Sequence, residues 1–211
     1  MRLAPSTTDL RSAVSLPVPG RNFMSFANGG PGEVSLGAED RAAAVADVKA
    51  ALRIATADDD TLIAAFAESA LGLAERFLGR VLIVRAMSER LAASRCWQAL
   101  GAAPVMAINA VAAVEGEDTV PLAVEDYAID IDAGAAGWIR VVDGEAALVE
   151  VTYHAGWIGG WTQIPAPVRQ GVVLLAAHLH AEREASAPPP AAVTALWRPF
   201  RAVALERAMR A

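Results

Sequence analysis

The sequence has little of what disulfide-stabilised, membrane-spanning or secreted proteins contain. Among its 211 residues there is one cysteine, Cys96, which excludes an internal disulfide framework and indicates folding in a reducing compartment. No apolar run approaches the roughly 20 residues of a transmembrane helix, and the N-terminus lacks the compact apolar segment of a secretory signal. The sequence therefore predicts no association with a membrane.

Basic charge is also scarce. Lysine and arginine together number 18 against 24 acidic residues, the net charge is −6, and Lys49 is the only lysine. Because general coating of nucleic acid needs a basic face, this balance argues against it. The bias towards arginine and alanine is attributed to genomic base composition. By contrast, 55% of the residues are hydrophobic, which is enough for a sizeable core without disulfides or metal.

Sequence motifs of catalysis are missing as well. The chain has no G-x-S-x-G elbow, phosphate-binding loop, dinucleotide-binding glycine pattern or H-E-x-x-H pair. His178 and His180 lie about 200° apart on a helix, so they cannot hold one ion together. His178 and Glu182 are better spaced but are only two ligands. Cys96 is predicted to be a small buried hydrophobe in a strand. We predict no catalytic, metal or cofactor residue.

Two further polar features are candidates for a functional site, a group of aspartates and a histidine. Asp126, Asp130 and Asp132 lie close together, but no glycine-bearing loop geometry accompanies them, so a solvated strand face is predicted rather than a cation site. His154 has no acid or nucleophile near it in sequence.

The strongest pattern is a helix over residues 58–80. Asp58, Asp59 and Asp60 predict an N-cap, and Gly79 predicts a left-handed residue at the C-terminal end. The predicted apolar face comprises Leu62, Ile63, Phe66, Ala70, Leu73 and Phe77. The predicted polar face comprises Thr61, Glu68, Ser69, Glu75 and Arg76. Leu71 and Leu78 indicate a second packed neighbour.

The other elements follow from periodicity. A helix from Ala38 to near Arg53 is predicted to form a hairpin with helix 58–80. Period-two segments then predict strands over 81–91, 94–100, 105–114, 119–124, 127–131, 138–142 and 148–153, with Asp143-Gly144 as a hairpin signal. A third helix is predicted over 166–184. A short helix with Val193, Leu196 and Trp197 follows, with a kink at Pro199.

The predicted fold class is α+β. Three to four main helices form a bundle core, and an antiparallel β-sheet is inserted between the second and third helices. The predicted divisions are an extended N-terminal arm (1–36), a helical hairpin (37–80), the β insertion (81–156), a loop with the third helix (157–187) and a C-terminal tail helix (188–211). The proline- and glycine-rich composition of the arm predicts a segment that becomes ordered only against a partner.

Large apolar residues occur in a loop and in the C-terminal segment, where they must be buried by the chain itself or by a partner. Trp157, Ile158 and Trp161 lie in a glycine-rich loop, and burial in the chain's own core or at a partner surface is equally compatible with them. The C-terminal segment is amphipathic, which suits docking into a partner's groove or packing on its own domain. The residues concerned are Leu196, Trp197, Phe200, Arg201, Val203, Leu205 and Met209.

The order of several segments resembles the head–tail connector (adaptor) proteins of long-tailed phages and gene transfer agents. The segments are DVKAALRI (47–54), DDDTLIAAF (58–66), AERFLGRVL (74–82), DYAIDI (126–131), VEVTYHAGW (149–157), IPAPVRQGVVLLAAHLHAERE (164–184) and ALWRPFR (195–201). The resemblance covers about residues 45–201. No single segment is diagnostic, and the specificity comes from their order.

The resemblance implies a dodecameric ring between the portal protein and the stopper or tail-terminator protein, through which double-stranded DNA passes. It implies no enzymatic activity, no cofactor, assembly in the bacterial cytoplasm and a final place at the head–tail interface of the particle. The acidic balance is compatible, since a channel that must release DNA should not bind it tightly.

Our hypothesis is that the C-terminal segment contacts the portal protein and that Trp157, Ile158 and Trp161 form a loop interface. Two other classes remain open from the residues alone. One is a small soluble enzyme with a site around His154, His178 and Glu182, and the other is a DNA-binding regulator that uses the arginine-bearing tail.

Overall fold

The computed structural model describes residues 25–28, 31–144, 146–182 and 188–201. The helices are α1 (Ala38–Leu52), α2 (Asp60–Leu78), α3 (Ala166–Ala181) and α4 (Ala191–Trp197). The strands are β1 (Ser25–Asn28), β2 (Arg85–Ala92), β3 (Gln98–Ala99), β4 (Val105–Glu115), β5 (Asp118–Pro121), β6 (Tyr127–Ile131), β7 (Gly137–Val141) and β8 (Leu148–Ala155). Short 3-10 turns cover Val124–Asp126, Trp161–Gln163 and Arg198–Phe200. Within these ranges no helix is both long and apolar enough to cross a membrane.

Helix α2 confirms the predicted element and its C-terminal end, where Gly79 adopts a left-handed conformation with φ 70°. The predicted side-chain cap is wrong, because the N-cap residue Asp59 makes no capping hydrogen bond. Instead, the Asp59 carboxylate contacts His180 of α3 at 3.2 Å, and Asp60 pairs with Lys49 of α1 at 2.6 Å. The acidic residues at the start of α2 therefore connect this helix to α1 and α3.

The buried face of α2 is broader than predicted and rotated. Leu73 is 48% exposed although it was placed on the apolar face, whereas Glu75, placed on the polar face, is fully buried. The physical reason is that α2 packs against α1, α3 and the segment that precedes α1. Its buried residues are mostly small, as close helix contacts require: Ile63, Ala64, Ala67, Ala70, Leu71, Gly72, Ala74 and Leu78.

The helical core confirms the predicted hairpin of α1 and α2. Helix α1 ends at Leu52, and Arg53 adopts the left-handed conformation with φ 59°. Helix α3 packs on both helices of the hairpin, and α4 packs on α3. The predicted kink at Pro199 is observed as a change from α4 into a 3-10 turn.

The β insertion between α2 and α3 confirms the predicted α+β fold, but it contains two antiparallel sheets. The larger has the order β1-β2-β8-β4-β5, in which β1, from the segment before α1, adds an edge strand to the insertion. The smaller has the order β3-β7-β6. Their facing sides share one apolar core that includes Met87, Val111, Ile139 and Val151.

Three details of the β prediction are wrong. Asp143-Gly144 does not close a hairpin, because β7 pairs with β3 and β6 while β8 pairs with β2 and β4. This connection crosses from one sheet to the other. Of the predicted strand 94–100, only the two residues of β3 are extended and paired. The strand predicted over 81–91 begins at Arg85, because residues 81–83 form a buried connection from α2.

Candidate interaction surfaces

Residues 31–36 run along α2, and we call them the strap. The Leu36 N–H donates to Glu68 Oε1 at 2.9 Å, and the Gly32 N–H donates to Glu75 Oε2 at 3.4 Å. The Gly32 carbonyl lies against Gly72, where any side chain would overlap it. Glu68 and Glu75 therefore bind the backbone of the strap and do not form a solvent face.

The Glu75 carboxylate joins the strap, α2 and the start of the β insertion. Its two oxygens accept from Arg85 Nη1 at 2.8 Å and Nη2 at 2.7 Å, and Oε1 also accepts from the Leu82 N–H at 2.9 Å. Arg85 Nη2 reaches the Glu33 carbonyl as well, at 3.4 Å. A bidentate pair of this kind fixes the direction in which the chain leaves α2.

The predicted loop interface divides into two parts. Trp161 is fully buried in the helical core, where its backbone N–H donates to Asp40 at 2.7 Å and its Nε1–H to Asp47 at 2.8 Å. The chain's own core, which was the alternative for this residue, therefore accounts for it. Trp157 remains on the surface, with the Arg80 guanidinium 5.0 Å from its ring centroid, and Ile158 is half-buried beside Ile83.

The C-terminal segment begins on its own domain. Trp197 is buried, donates to the Val168 carbonyl at 3.1 Å and packs against Phe77 with centroids 5.7 Å apart. Leu196 and Phe200 are half-buried, and the exposed Arg201 lies over the Phe77 ring. Trp197 is therefore an anchor to α3. Val203, Leu205 and Met209, the rest of the predicted portal contact, lie outside the described residues.

The polar candidates do not assemble into a site in the described ranges. His154 lies within β8, not after it, and its Nδ1 pairs with Asn109 at 2.8 Å, while His178 and His180 lie on α3. No group of three His, Cys, Asp or Glu side chains that could hold a metal occurs among these residues. Cys96 is exposed, so the prediction that it is a buried strand residue is wrong.

Asp132 corrects the prediction of a solvated carboxylate face. Its Oδ1 accepts from the N–H groups of Gly134 at 2.8 Å and Ala136 at 3.0 Å, and its Oδ2 accepts from Trp138 Nε1 at 2.9 Å. The carboxylate therefore organises the turn between β6 and β7. An acidic residue that precedes a glycine-rich turn was the signal that could have indicated this role.

A second buried carboxylate, Glu89, lies in the core between the two sheets. Glu89 Oε2 accepts from the Tyr153 hydroxyl at 3.0 Å and the Gly101 N–H at 2.9 Å, while Oε1 has no hydrogen-bond partner within the described part of the chain. Burial raises the pKa of Glu89 above its ordinary value, and burial next to Glu89 raises that of Tyr153. Strand alternation gave no signal for a carboxyl group here.

Three surface features lie outside these contacts. A groove of about 540 Å³ lies between α1 and α2 and is lined by four alanines, Val45 and Thr61, together with the charged residues Arg41, Asp60 and Glu68. The β4–β5 hairpin exposes Met106 and Val120. The edge strand β6 exposes Ile129 and Ile131, which form the apolar side of its alternating pattern together with Tyr127.

The chain matches no protein-family model and no curated protein. Its fold is similar to that of chains in solved gene transfer agent (GTA) particles. A chain in the neck of an empty GTA particle, computed with C6 symmetry, is 24% identical with a TM-score of 0.61, and the match covers 89% of this chain and 99% of that one. A chain in the neck of a native GTA particle, computed with C12 symmetry, is 24% identical with a TM-score of 0.57, covering 84% and 98%. A chain in the virion of a native GTA particle is 23% identical with a TM-score of 0.58, covering 87% and 97%. These likenesses establish a shared fold over nearly the whole length of those chains.

Proposed function

We propose that this chain is a structural subunit of the neck of a phage-like particle, a head–tail connector without enzymatic activity. Its copies form a dodecameric ring between the portal and the stopper or tail-terminator protein, and double-stranded DNA passes through the ring. One observation carries this proposal: the fold extends over 97–99% of the length of chains from GTA particles, two of them neck chains. Assembly takes place in the bacterial cytoplasm, and the particle is a gene transfer agent or a phage.

The surface of the molecule supports a role in assembly. Large apolar side chains remain exposed on β4, β5 and β6 and at Trp157, on several sides of the β insertion. A ring subunit needs two different patches, because each copy contacts its two neighbours through unlike surfaces. Exposed apolar groups distributed in this way suit burial by neighbours.

The C-terminal segment is the proposed portal contact, and its first and last parts have different roles. Leu196, Trp197 and Phe200 fix the start of the tail on α3 and α2, while the segment 202–211, with Val203, Leu205 and Met209, provides the apolar groups that bind portal. A deletion of 195–211 would therefore damage the fold, because it removes Trp197. Deletion of 202–211 is the appropriate test.

The experiment mixes the purified chain with the portal protein and measures mass and ring formation by light scattering and electron microscopy. We expect the full chain to form rings on portal, and the chain without 202–211 to lose portal binding while its thermal unfolding temperature stays the same. Leu205→Asp is the point variant, and Arg207→Ala, which keeps the apolar groups, is the matched control. Portal attachment by the truncated chain would remove the tail from this role, and a full chain that neither forms rings nor binds portal would refute the proposed function.

A further inference from the structure

Within the described part of the chain, one backbone edge of strand β6 pairs with no other strand, and we call it the free edge. It is the outer strand of the sheet β3-β7-β6 and pairs with β7 in the antiparallel register Tyr127↔Val141 to Ile131↔Gly137. The N–H groups of Val142 and Asp132, just outside this ladder, donate to the carbonyls of Asp126 and Ala136. Even-numbered residues of β6 therefore form the hydrogen-bonded pairs. The backbone groups of Tyr127, Ile129 and Ile131 point away from β7, towards the free edge.

The apolar side chains at this edge lie on the inner face of the sheet. Ile129 is directly opposite Ile139, which is buried in the β core, so both side chains project to the same side. Yet Ile129 is 42% exposed and Ile131 is 39% exposed, whereas Ile139 is 1% exposed. Along β6, the described residues thus leave this side of the core partly exposed. An added strand would satisfy the backbone groups and cover both isoleucines.

The N-terminal arm has the length and the starting position to supply such a strand to a neighbouring copy. Residues 1–24 precede β1, and 24 extended residues reach about 80 Å at about 3.3 Å each. Strand β1 lies at the edge of the larger sheet, three strands away from β4, the strand that β6 contacts. One side of each copy therefore carries the arm and another side carries the free edge, as a closed ring of identical subunits requires.

Within the arm, residues 10–16 (LRSAVSL), if extended, place Leu10, Val14 and Leu16 on one side together with Ser12. Arg11, Ala13 and Ser15 then fall on the other side, and Pro17 follows directly, where a strand can no longer donate to a ladder. We propose that residues 10–16 of one copy add to the free edge of β6 in the next copy and place these apolar side chains against Ile129 and Ile131. This inference rests on the proposed ring and identifies the contact that joins its subunits.

Cross-linking between different chains tests the pairing directly. All variants carry Cys96→Ser, because the native thiol is exposed. Chains with Val14→Cys are mixed with differently tagged chains that carry Ile129→Cys, and disulfide formation is followed by non-reducing electrophoresis. The control partner carries Val124→Cys, which is 76% exposed and lies just before β6. We expect a mixed-chain product several-fold more abundant with Ile129→Cys than with Val124→Cys.

Three further variants measure the consequence for assembly. Ile129→Lys adds a charge at the free edge and should abolish rings, as should deletion of 1–24, while Val124→Lys should leave them intact. Circular dichroism spectra and unfolding temperatures are compared to confirm that the variants fold. A chain that carries both Val14→Cys and Ile129→Cys and cross-links within itself, equal products with both partners, or rings that form as well without the arm would overturn this inference. If rings form normally in those cases, the proposed function stands without it.

Discussion

The indole Nε1–H of Trp197 donates to the backbone carbonyl of Val168 at 3.1 Å. The same ring lies directly over Gly171, where a Cβ atom would overlap it. Helix α4 is therefore held on α3 by the Trp197 ring, which occupies the space that a side chain at position 171 would need. The C-terminal tail, residues 202–211, follows this fixed segment in the sequence.

Truncating this anchor should destabilise the whole helical domain. We expect Trp197→Ala to lower the free energy of unfolding by about 3–5 kcal/mol, because a buried indole and its hydrogen bond are lost. Gly171→Ala should cost about 1–3 kcal/mol through overlap with the ring. Urea denaturation followed by circular dichroism measures both. Thr194→Ala, at an exposed position of α4, is the control, and a Trp197→Ala midpoint equal to that of the control would contradict the anchoring role.

The substitution Gly72→Ala should disturb the structure, although alanine has a higher helix propensity than glycine. In the interior of an exposed helix, Gly→Ala stabilises by about 1 kcal/mol. Here the added methyl group would meet the Gly32 carbonyl, so Gly72→Ala should push the strap away from α2. Hydrogen exchange at the Leu36 amide, which donates to Glu68, should become faster.

The matched control for Gly72→Ala is Gly37→Ser. Gly37 is the N-cap of α1 with ordinary dihedrals, φ −60° and ψ 162°, and open space around its Cα atom. The added hydroxyl can cap α1, so we expect unchanged or slightly raised stability and no change in exchange at Leu36. Equal exchange rates in both variants would show that the strap does not depend on the close contact at Gly72.

The sequence predicted the elements that depend on local rules. The left-handed residue at Gly79, the end of α1 near Arg53 and the alternation of Leu148 to Tyr153 all follow from backbone and periodicity, and the structure confirms them. These features need no knowledge of distant partners. The order of α1, α2, the β insertion and α3 was predictable for the same reason.

Errors arose where a distant segment decides the environment. Glu75 occupies the polar side of an isolated α2, yet Arg85 and the strap bury it. For Trp161, in an irregular loop, the sequence left two environments open; it contacts Asp40 and Asp47 of α1, more than 110 residues earlier. Ile129 alternates as a buried residue would, but it lies on an edge strand that pairs on one side only within the described residues. Local patterns carry no information about these long-range partners.

The Glu75–Arg85 pair predicts a strongly asymmetric response to mutation. Arg85→Met should destabilise the fold by about 3–5 kcal/mol, because it leaves the fully buried Glu75 carboxylate without its counter-ion. The double variant Glu75→Gln/Arg85→Met should recover a large part of this loss. Chemical denaturation measures the free energies. Arg95→Ala is the control, since Arg95 faces Asp143 at 4.0 Å with both side chains largely exposed, and should change little. A double variant no more stable than Arg85→Met would argue against an uncompensated charge as the cause.

Glu89 predicts a pH dependence of stability opposite to that of a salt-bridged carboxylate. Because burial raises its pKa in the folded state, the folded chain holds a proton that the unfolded chain has released. Stability should therefore fall as pH rises from the ordinary glutamate pKa of about 4.3 to the raised value in the fold. Glu89→Gln should remove this contribution, so its stability relative to the wild type should increase with pH across that window.

Urea midpoints measured at several pH values between about 4 and 8 give that difference directly, with the other carboxylates common to both chains. Tyr153→Phe supplies the second arm of the test. The Tyr153 hydroxyl donates to Glu89 and lowers its pKa, so its removal should raise that pKa further and extend the window upwards. A constant difference between wild type and Glu89→Gln across the range would mean that Glu89 keeps the same charge in the folded and unfolded chains. In that case the carboxylate in the β core would have to be stabilised as an ion by its contacts with Gly101 and Tyr153.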